Sequence, residues 1–175
     1  MALPAGTWTI DPVHSSVTYA IKHNKLTLFR SGFSEYEVTL EVAEDGAAKL
    51  SGEVAVDSFT IGNEQFVQHL KSDEFFDTAN HPKITFVATE IGEHGDHLHI
   101  TGDLTIRGTT KSVSGTATFA GPVEGAFGGT RVGLQVAYTL DRRDFGITWQ
   151  VPLAGGGDYL GNDVELALQL ELVRA

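Results

Sequence analysis

Near the C-terminus, Val164, Leu166, Leu168, Leu170 and Leu172 take every second position, with Glu165, Gln169 and Glu171 between them. A side-chain period of two belongs to a β-strand with one buried and one wet face; a helix would scatter these leucines around its circumference. Val17, Tyr19 and Ile21 alternate in the same way with Ser16, Thr18 and Ala20, as do Val38, Leu40 and Val42 with Glu37, Thr39 and Glu41. "KLSGEVAVDS", "KITFVATEI", "DHLHITGDLTI", "KSVSGTATFA" and "RVGLQVAYTL" repeat the pattern, usually punctuated by Gly, Asp or Asn. This predicts roughly eight strands, with no room for the crossover helices of a βαβ protein. Connections as short as "EHGD" and "RGTTK" suit hairpins, so the expected fold is all-β with one or two short helices, an antiparallel barrel or sandwich built as a meander.

A chain of 175 residues, 41% hydrophobic and 20% charged, is read as one domain over residues 1–175. Its 12 basic and 23 acidic residues give a formal charge of −11, which repels nucleic acid and anionic headgroups. The opening "MALPAGTWTI" has no basic n-region and no long apolar run, so neither a signal peptide nor stable membrane insertion is expected. The cytoplasm is the default location, unless a leader has been removed. The absence of cysteine excludes disulfides, thiolate metal sites and thiol catalysis.

Two segments break the period. In "NEQFVQHLKSDEFF", Asn63 is placed to cap a short helix carrying Phe66 and Leu70 on one side, and a further turn adds Phe75 and Phe76. Pro82 disfavours helix at His81 and returns the chain to a strand. The second break, residues 141–163, is long for a barrel loop and carries Phe145, Ile147, Trp149, Val151 and Leu153. Once the strands have used their inward faces, Leu26, Leu28, Phe29, Phe66, Leu70, Phe75, Phe76 and Trp149 still need burial, and a barrel mouth offers it. An eight-stranded barrel is either filled by its own side chains or holds one small ligand, and periodicity does not choose between them.

Recognisable catalytic chemistry is sparse. There is no G-x-S-x-G elbow, H-E-x-x-H, G-x-G-x-x-G or EF-hand loop, and "AGGGD" lacks the helix and Lys-Ser/Thr of a phosphate-binding loop. His94, His97 and His99 cluster, but at a hairpin tip among acids, so no metal or other cofactor is expected. His14 is either a pocket group or a turn residue, and His69 and His81 suit loop caps or bridges. In "DRRDFG", Arg142 and Arg143 either fix an anionic headgroup or pair with Asp141 and Asp144 to hold the loop, and the neighbouring acids favour the second role.

Taken in order, "TWTIDPVHSSVTYAIKH", "SGFSEYEVTL", "HLKSDEFFDTANHPKITF", "GDLTIRGTTKSV" and "DRRDFGI" resemble the YceI-like family of bacterial polyisoprenoid-binding, lipocalin-like proteins. The combination of L-x-S-x-x-F-F-D with L-T-I-R-G-x-T-K carries the resemblance across nearly the whole chain. It implies an eight-stranded antiparallel lipocalin-like β-barrel, often dimeric, with a helical connection near its mouth. Such a barrel would enclose a long apolar pocket for an isoprenoid, quinone-like or fatty-acyl chain. His14 and Ser15 match the family's His-Ser motif, Phe33 the aromatic after its Gly, and Phe75 and Phe76 its paired aromatics. The candidate ligand-contacting set is His14, Tyr19, Phe33, Phe66, Leu70, Phe75, Phe76, Phe86, Phe145 and Trp149. The expected activity is non-enzymatic binding, storage or transport of an amphiphilic lipid. The net charge favours a neutral or weakly polar head over a pyrophosphate, unless Arg142 and Arg143 supply a local exception. Two rivals stand beside it: a barrel enzyme using His14 and a carboxylate on an apolar substrate, and a stress or interaction module whose barrel is filled.

Overall fold

A computed structural model describes residues 3–95 and 97–175; the first two residues, where the sequence was read for a leader, and Asp96 of the "EHGD" turn lie outside the described residues. Ten strands form one antiparallel sheet: β1 (Gly6–Ile10), β2 (Ser16–His23), β3 (Thr27–Phe33), β4 (Tyr36–Val42), β5 (Ala48–Ala55), β6 (Lys83–His94), β7 (His97–Ile106), β8 (Thr109–Glu124), β9 (Thr130–Asp141) and β10 (Leu160–Arg174). From β4 to β10 each strand pairs with the next, and β1 bridges β4 and β10, closing an eight-stranded barrel. Among the described residues one α-helix, α1 (Glu64–Lys71), and a 3-10 turn (Arg142–Phe145) complete the fold.

The barrel's two ends differ because β10 is 15 residues long and divides its free edge between two partners. Its last turn of pleat pairs with β1, Ile10 opposite Leu172 and Trp8 opposite Arg174. Its earlier part pairs with β2, from Gln169 opposite Ser16 to Val164 opposite Ile21. Between β1 and β2, Pro12 has no N–H to donate to a ladder. Ser15 Oγ instead accepts the Glu171 N–H at 2.9 Å, Asp11 N–H donates to the Glu171 carbonyl at 2.8 Å, and Tyr36 Oη donates to the Ser15 carbonyl at 2.6 Å. The matched His-Ser pair therefore lies at the break where the chain leaves the closed ring.

The alternation of Val17, Tyr19 and Ile21 is present as read, but β2 pairs on one side with β10 and on the other with β3, not with a barrel strand from each side. The strand that completes the ring is β1, too short for its alternation to stand out in the sequence. At the open end β2 and β3 take the places of β1 and β4, and residues 56–82 close the remaining gap. Thr60 N–H donates to the Gly32 carbonyl at 2.9 Å, Ser34 N–H to the Ser58 carbonyl at 2.8 Å, and Phe33 bridges Phe59.

The closed end is packed solid. Trp8, Leu40, Leu134 and Leu172 are among its most deeply buried side chains, with Leu50, Leu98, Ile100, Phe119 and Val132 around them. Trp8 Nε1 donates to the Pro4 carbonyl at 3.0 Å, and the Arg174 guanidinium lies 5.6 Å from the indole centroid, so the polar edge and the π-face are both used. On β7, Gly102 faces Phe86 so closely that a Cβ there would come within 2.4 Å of the ring; glycine lets Phe86 lie across the barrel. We expect Trp8→Ala to cost about 3–5 kcal/mol of stability, read by urea unfolding.

Candidate functional site

At the open end the interior is hollow. An outer chamber of about 570 Å³ is lined by Tyr19, Ile21 and His23 of β2, Phe29 and Phe33 of β3, Ile84, Ile106, Leu140, Val164 and Leu166 of the barrel wall, and side chains from the two loops that interrupt the strand pattern. A deeper chamber of about 210 Å³ lies toward the closed end, against Val17, Leu50, Phe86, Ile100, Leu134, Val136 and Leu168. Phe33, Ile84, Ile106 and Leu166 border both chambers, so these four mark a waist.

The cover follows from local sequence chemistry. Asn63 Oδ1 accepts the Phe66 N–H at 2.9 Å, the expected cap of α1. Leu70 is buried and Phe66 packs edge-on against Phe29 at 5.3 Å. Ser72 Oγ donates to the His69 carbonyl at 2.7 Å, its own carbonyl accepts the Asp77 N–H at 2.8 Å, and Asp77 turns through φ 48°; this tight reversal aims Phe75 and Phe76 inward. Phe75 packs at a tilt against Trp149 at 5.3 Å, His69 meets both rings at 4.9 and 5.1 Å, and Trp149 continues to Tyr159, which in turn meets His23. On the other side Phe76 meets Phe59 at 5.5 Å and Phe59 meets Phe33 at 5.2 Å.

Two arginines hold the rim. Arg107 and Gly108, both at positive φ, form the two-residue turn between β7 and β8, as the "RG" of that segment suggests. The Arg107 guanidinium donates to the Gly146 carbonyl at 2.6 Å and the Asp73 carbonyl at 2.5 Å, joining the helical cover to the 141–163 loop. Arg142 is only 3% exposed and lines the outer chamber. Four of the five guanidinium N–H groups are engaged: Nε to the Gly161 carbonyl at 2.8 Å, Nη1 to the Ile147 and Trp149 carbonyls at 2.9 and 2.8 Å, and Nη2 to Asn162 Oδ1 at 3.2 Å. The sequence suggested acid pairing for both arginines; it holds for Arg143, which donates Nε and Nη2 to Asp141, but Arg142 is bound by carbonyls and an amide. Burial pushes the Arg142 guanidinium below its ordinary value.

Tyr19, Phe33, Phe66, Leu70, Phe75, Phe76, Phe145 and Trp149 all line the outer chamber and Phe86 the deeper one. His14 is placed elsewhere: its side chain is 61% exposed and its Nδ1 lies 3.0 Å from Asp11 Oδ2 at the β1–β2 break. Asp11, His14 and Glu171 are near enough to share an ion, but the Arg131 guanidinium already occupies that place, 2.7 Å from Asp11 and 2.5 Å from Glu171. The His94 and His99 rings sit 6.3 Å apart on the outer face of the β6–β7 hairpin. Sequence reading left Ile84, Ile106, Leu140 and Arg142 out of the lining. The first three were available from strand alternation, whereas the position of Arg142 depends on a loop that no local pattern describes.

A closed antiparallel barrel, solid at one end and opening at the other into a lidded apolar cavity, defines the class of lipocalin-like barrels. This chain belongs to the YceI-like family, whose domain pattern matches residues 8–172. It is 32% identical over 167 residues to a UPF0312 protein of Staphylococcus aureus, spanning 94% of this chain and 95% of that one. Its fold is similar to that of BcnA from Burkholderia cenocepacia, with a TM-score of 0.77 at 21% identity over 93% of this chain and 98% of the other. A polyisoprenoid-binding domain from Saccharophagus degradans has the same fold, with a TM-score of 0.74 at 13% identity over 96% and 98% of the two chains. Among the described residues no helix is long and apolar enough to cross a membrane.

Replacing Arg142 by Ala leaves its carbonyl partners buried without a donor, and we expect a loss of about 3 kcal/mol in urea unfolding, with Lys a poor substitute for the planar fork. Arg143 holds the Asp141 carboxyl down from 3.8 to about 2. A carboxylate depressed by folding stabilises fully above its unfolded pKa and loses that contribution as pH falls through the folded value. The Tm should therefore decline between about pH 4 and pH 2 with a component that Asp141→Asn removes, measured by thermal unfolding across that range.

Proposed function

We propose that this protein binds a long, predominantly apolar lipid chain within the barrel and shields it from water. The observation that carries this reading is the two-chamber cavity, about 570 and 210 Å³, walled by aliphatic strand residues and capped by aromatic rings. Cavities of a few hundred cubic ångströms with a mostly apolar lining are typical small-molecule sites. A filled barrel would need side chains large enough to occupy the open end, and Tyr19, Phe29 and Trp149 instead stand around its perimeter. Each CH₂ buried contributes about 0.8 kcal/mol, so an isoprenoid or acyl chain binds with few polar contacts once the cost of association is met. The polyisoprenoid-binding description of the Saccharophagus degradans domain, which has the same fold, supports a prenyl chain as the first ligand to try.

Binding fits better than catalysis. Two ionisable groups of the cavity wall are committed to the protein: Arg142 to carbonyls, and His69 to Glu74 at 2.8 Å and to the Phe75 and Trp149 rings. Four of the five Arg142 N–H groups are already engaged and the chain carries a net −11, so the preferred head is neutral. Carriage of the lipid between sites and assembly as a homodimer belong to the same proposal; light scattering with and without ligand tests the second.

Native mass spectrometry of freshly purified protein, followed by solvent extraction, tests the reading. A one-to-one adduct identified as a prenyl or acyl lipid is the expected result, and a protein that neither retains nor takes up geranylgeraniol overturns it. Phe75→Asp places a charge beneath the lid and should lower geranylgeraniol affinity at least about tenfold in a fluorescence displacement titration.

A further inference from the structure

A glycine in the middle of a β-strand weakens the strand and packs nothing, so it calls for a reason: a positive φ, a bulge, or the close approach of another group. Gly52 lies between Leu50 and Val54 on β5, Gly102 between Ile100 and Leu104 on β7, and Gly115 between Val113 and Ala117 on β8, each at an inward position of the alternation. Gly102 is explained by the Phe86 ring, which leaves no room for a Cβ. The other two have no such neighbour. A Cβ on Gly115 would meet only the Tyr138 ring, at 3.5 Å, and one on Gly52 would meet the Glu37 carbonyl at 3.4 Å and a Val38 methyl at 3.5 Å, all ordinary contacts. Neither glycine has a positive φ, and the register runs unbroken through both, Gly52 opposite Val38 and Phe86, Gly115 opposite Ile100.

What the two share is the inner chamber. Residues 50–54 and 113–117 border it without a gap, outward-facing neighbours included, so at each glycine the chamber reaches bare backbone. In the ring β6 and β7 stand between β5 and β8, so the two bare places widen the chamber from well-separated sides. A branched aliphatic residue is the usual occupant of an inward strand position, and here it would project into a space of only about 210 Å³. An unfilled apolar space forgoes packing, and a strand glycine adds an entropic cost to folding, so the chain gives up stability in two ways to keep this volume open.

Resting on the lipid-binding reading above, we infer that Gly52 and Gly115 set the depth of the site and with it the length of chain that the protein accepts. The ligand class is a long neutral prenyl or acyl chain whose apolar end passes the waist of Phe33, Ile84, Ile106 and Leu166 and lies in the inner chamber. A chain short enough for the outer chamber alone gains nothing from the two glycines.

The test measures affinity for farnesol, geranylgeraniol and geranylfarnesol, a series growing by one isoprene unit, in wild type, Gly115→Leu and Gly52→Val. Wild type should bind more tightly along the series. Each variant should lose at least about tenfold in affinity for the longest prenol and keep its affinity for farnesol. Thermal unfolding without ligand separates room for a ligand from a structural need for glycine: Gly52→Ala and Gly115→Ala should match or exceed the wild-type Tm, whereas Gly102→Ala, which forces a Cβ against Phe86, should lower it. A length profile unchanged in both filling variants, an equal loss for farnesol and the longest prenol, or a lower Tm in Gly52→Ala and Gly115→Ala overturns the inference while lipid binding stands. Failure of wild type to bind any of the three prenols overturns the lipid-binding reading as well.

Discussion

The divided edge of β10 is the constraint on which the rest of the molecule depends. A backbone edge needs partners along its whole length, and β10 satisfies its edge with β1 near the C-terminus and with β2 farther back. With β1 and β4 as neighbours the ring closes tightly enough for Trp8 and its surrounding leucines to fill it. With β2 and β3 in their places, the wall is interrupted and a non-strand segment has to complete it. One end of the barrel therefore has a core and the other a cavity, although the same strands run through both.

That interruption also accounts for the unusual chemistry of the covering segments. A loop lying free in water is polar, but residues 56–82 and 141–163 serve as wall and roof over an apolar space and so carry Phe59, Phe66, Phe75, Phe76, Phe145 and Trp149. Aromatic rings suit this duty because a few of them cover a wide opening with little side-chain entropy to lose. The backbone of such a roof still needs donors and acceptors, and the two arginines provide them. Arg142 gathers the carbonyls of its own loop, and Arg107 ties that loop to the turn after α1. These charges act as scaffolding, which leaves the cavity wall apolar despite the guanidinium within it.

The motifs that carried the family resemblance acquire physical roles in this light. Leu70, Ser72, Phe75, Phe76 and Asp77 make a reversal that presents two aromatics; Arg107 and Gly108 make a left-handed turn whose first residue is also a latch. Ser15 replaces a missing ladder partner at the break between β1 and β2. His14, beside it, belongs to the same break and to the Asp11 and Arg131 charge cluster on the outside of the barrel, so adjacency in a motif did not place it in the cavity.

Eight of the ten strands, their inward faces and the capped helix were determined by the sequence alone, because each depends on neighbours within a few positions: alternation for Val164 to Leu172, an amide cap for Asn63, a Pro for the restart at Lys83; β1 and β3 were not among the eight. The apolar surplus in the two loops likewise showed that something had to be covered. Which strand closes the ring was decided only in three dimensions, since β1 is too short to announce itself and its pairing with β10 spans nearly the entire chain. The same holds for the waist and for Arg142 in the wall, because their neighbours come together from distant parts of the chain and no local pattern encodes that meeting.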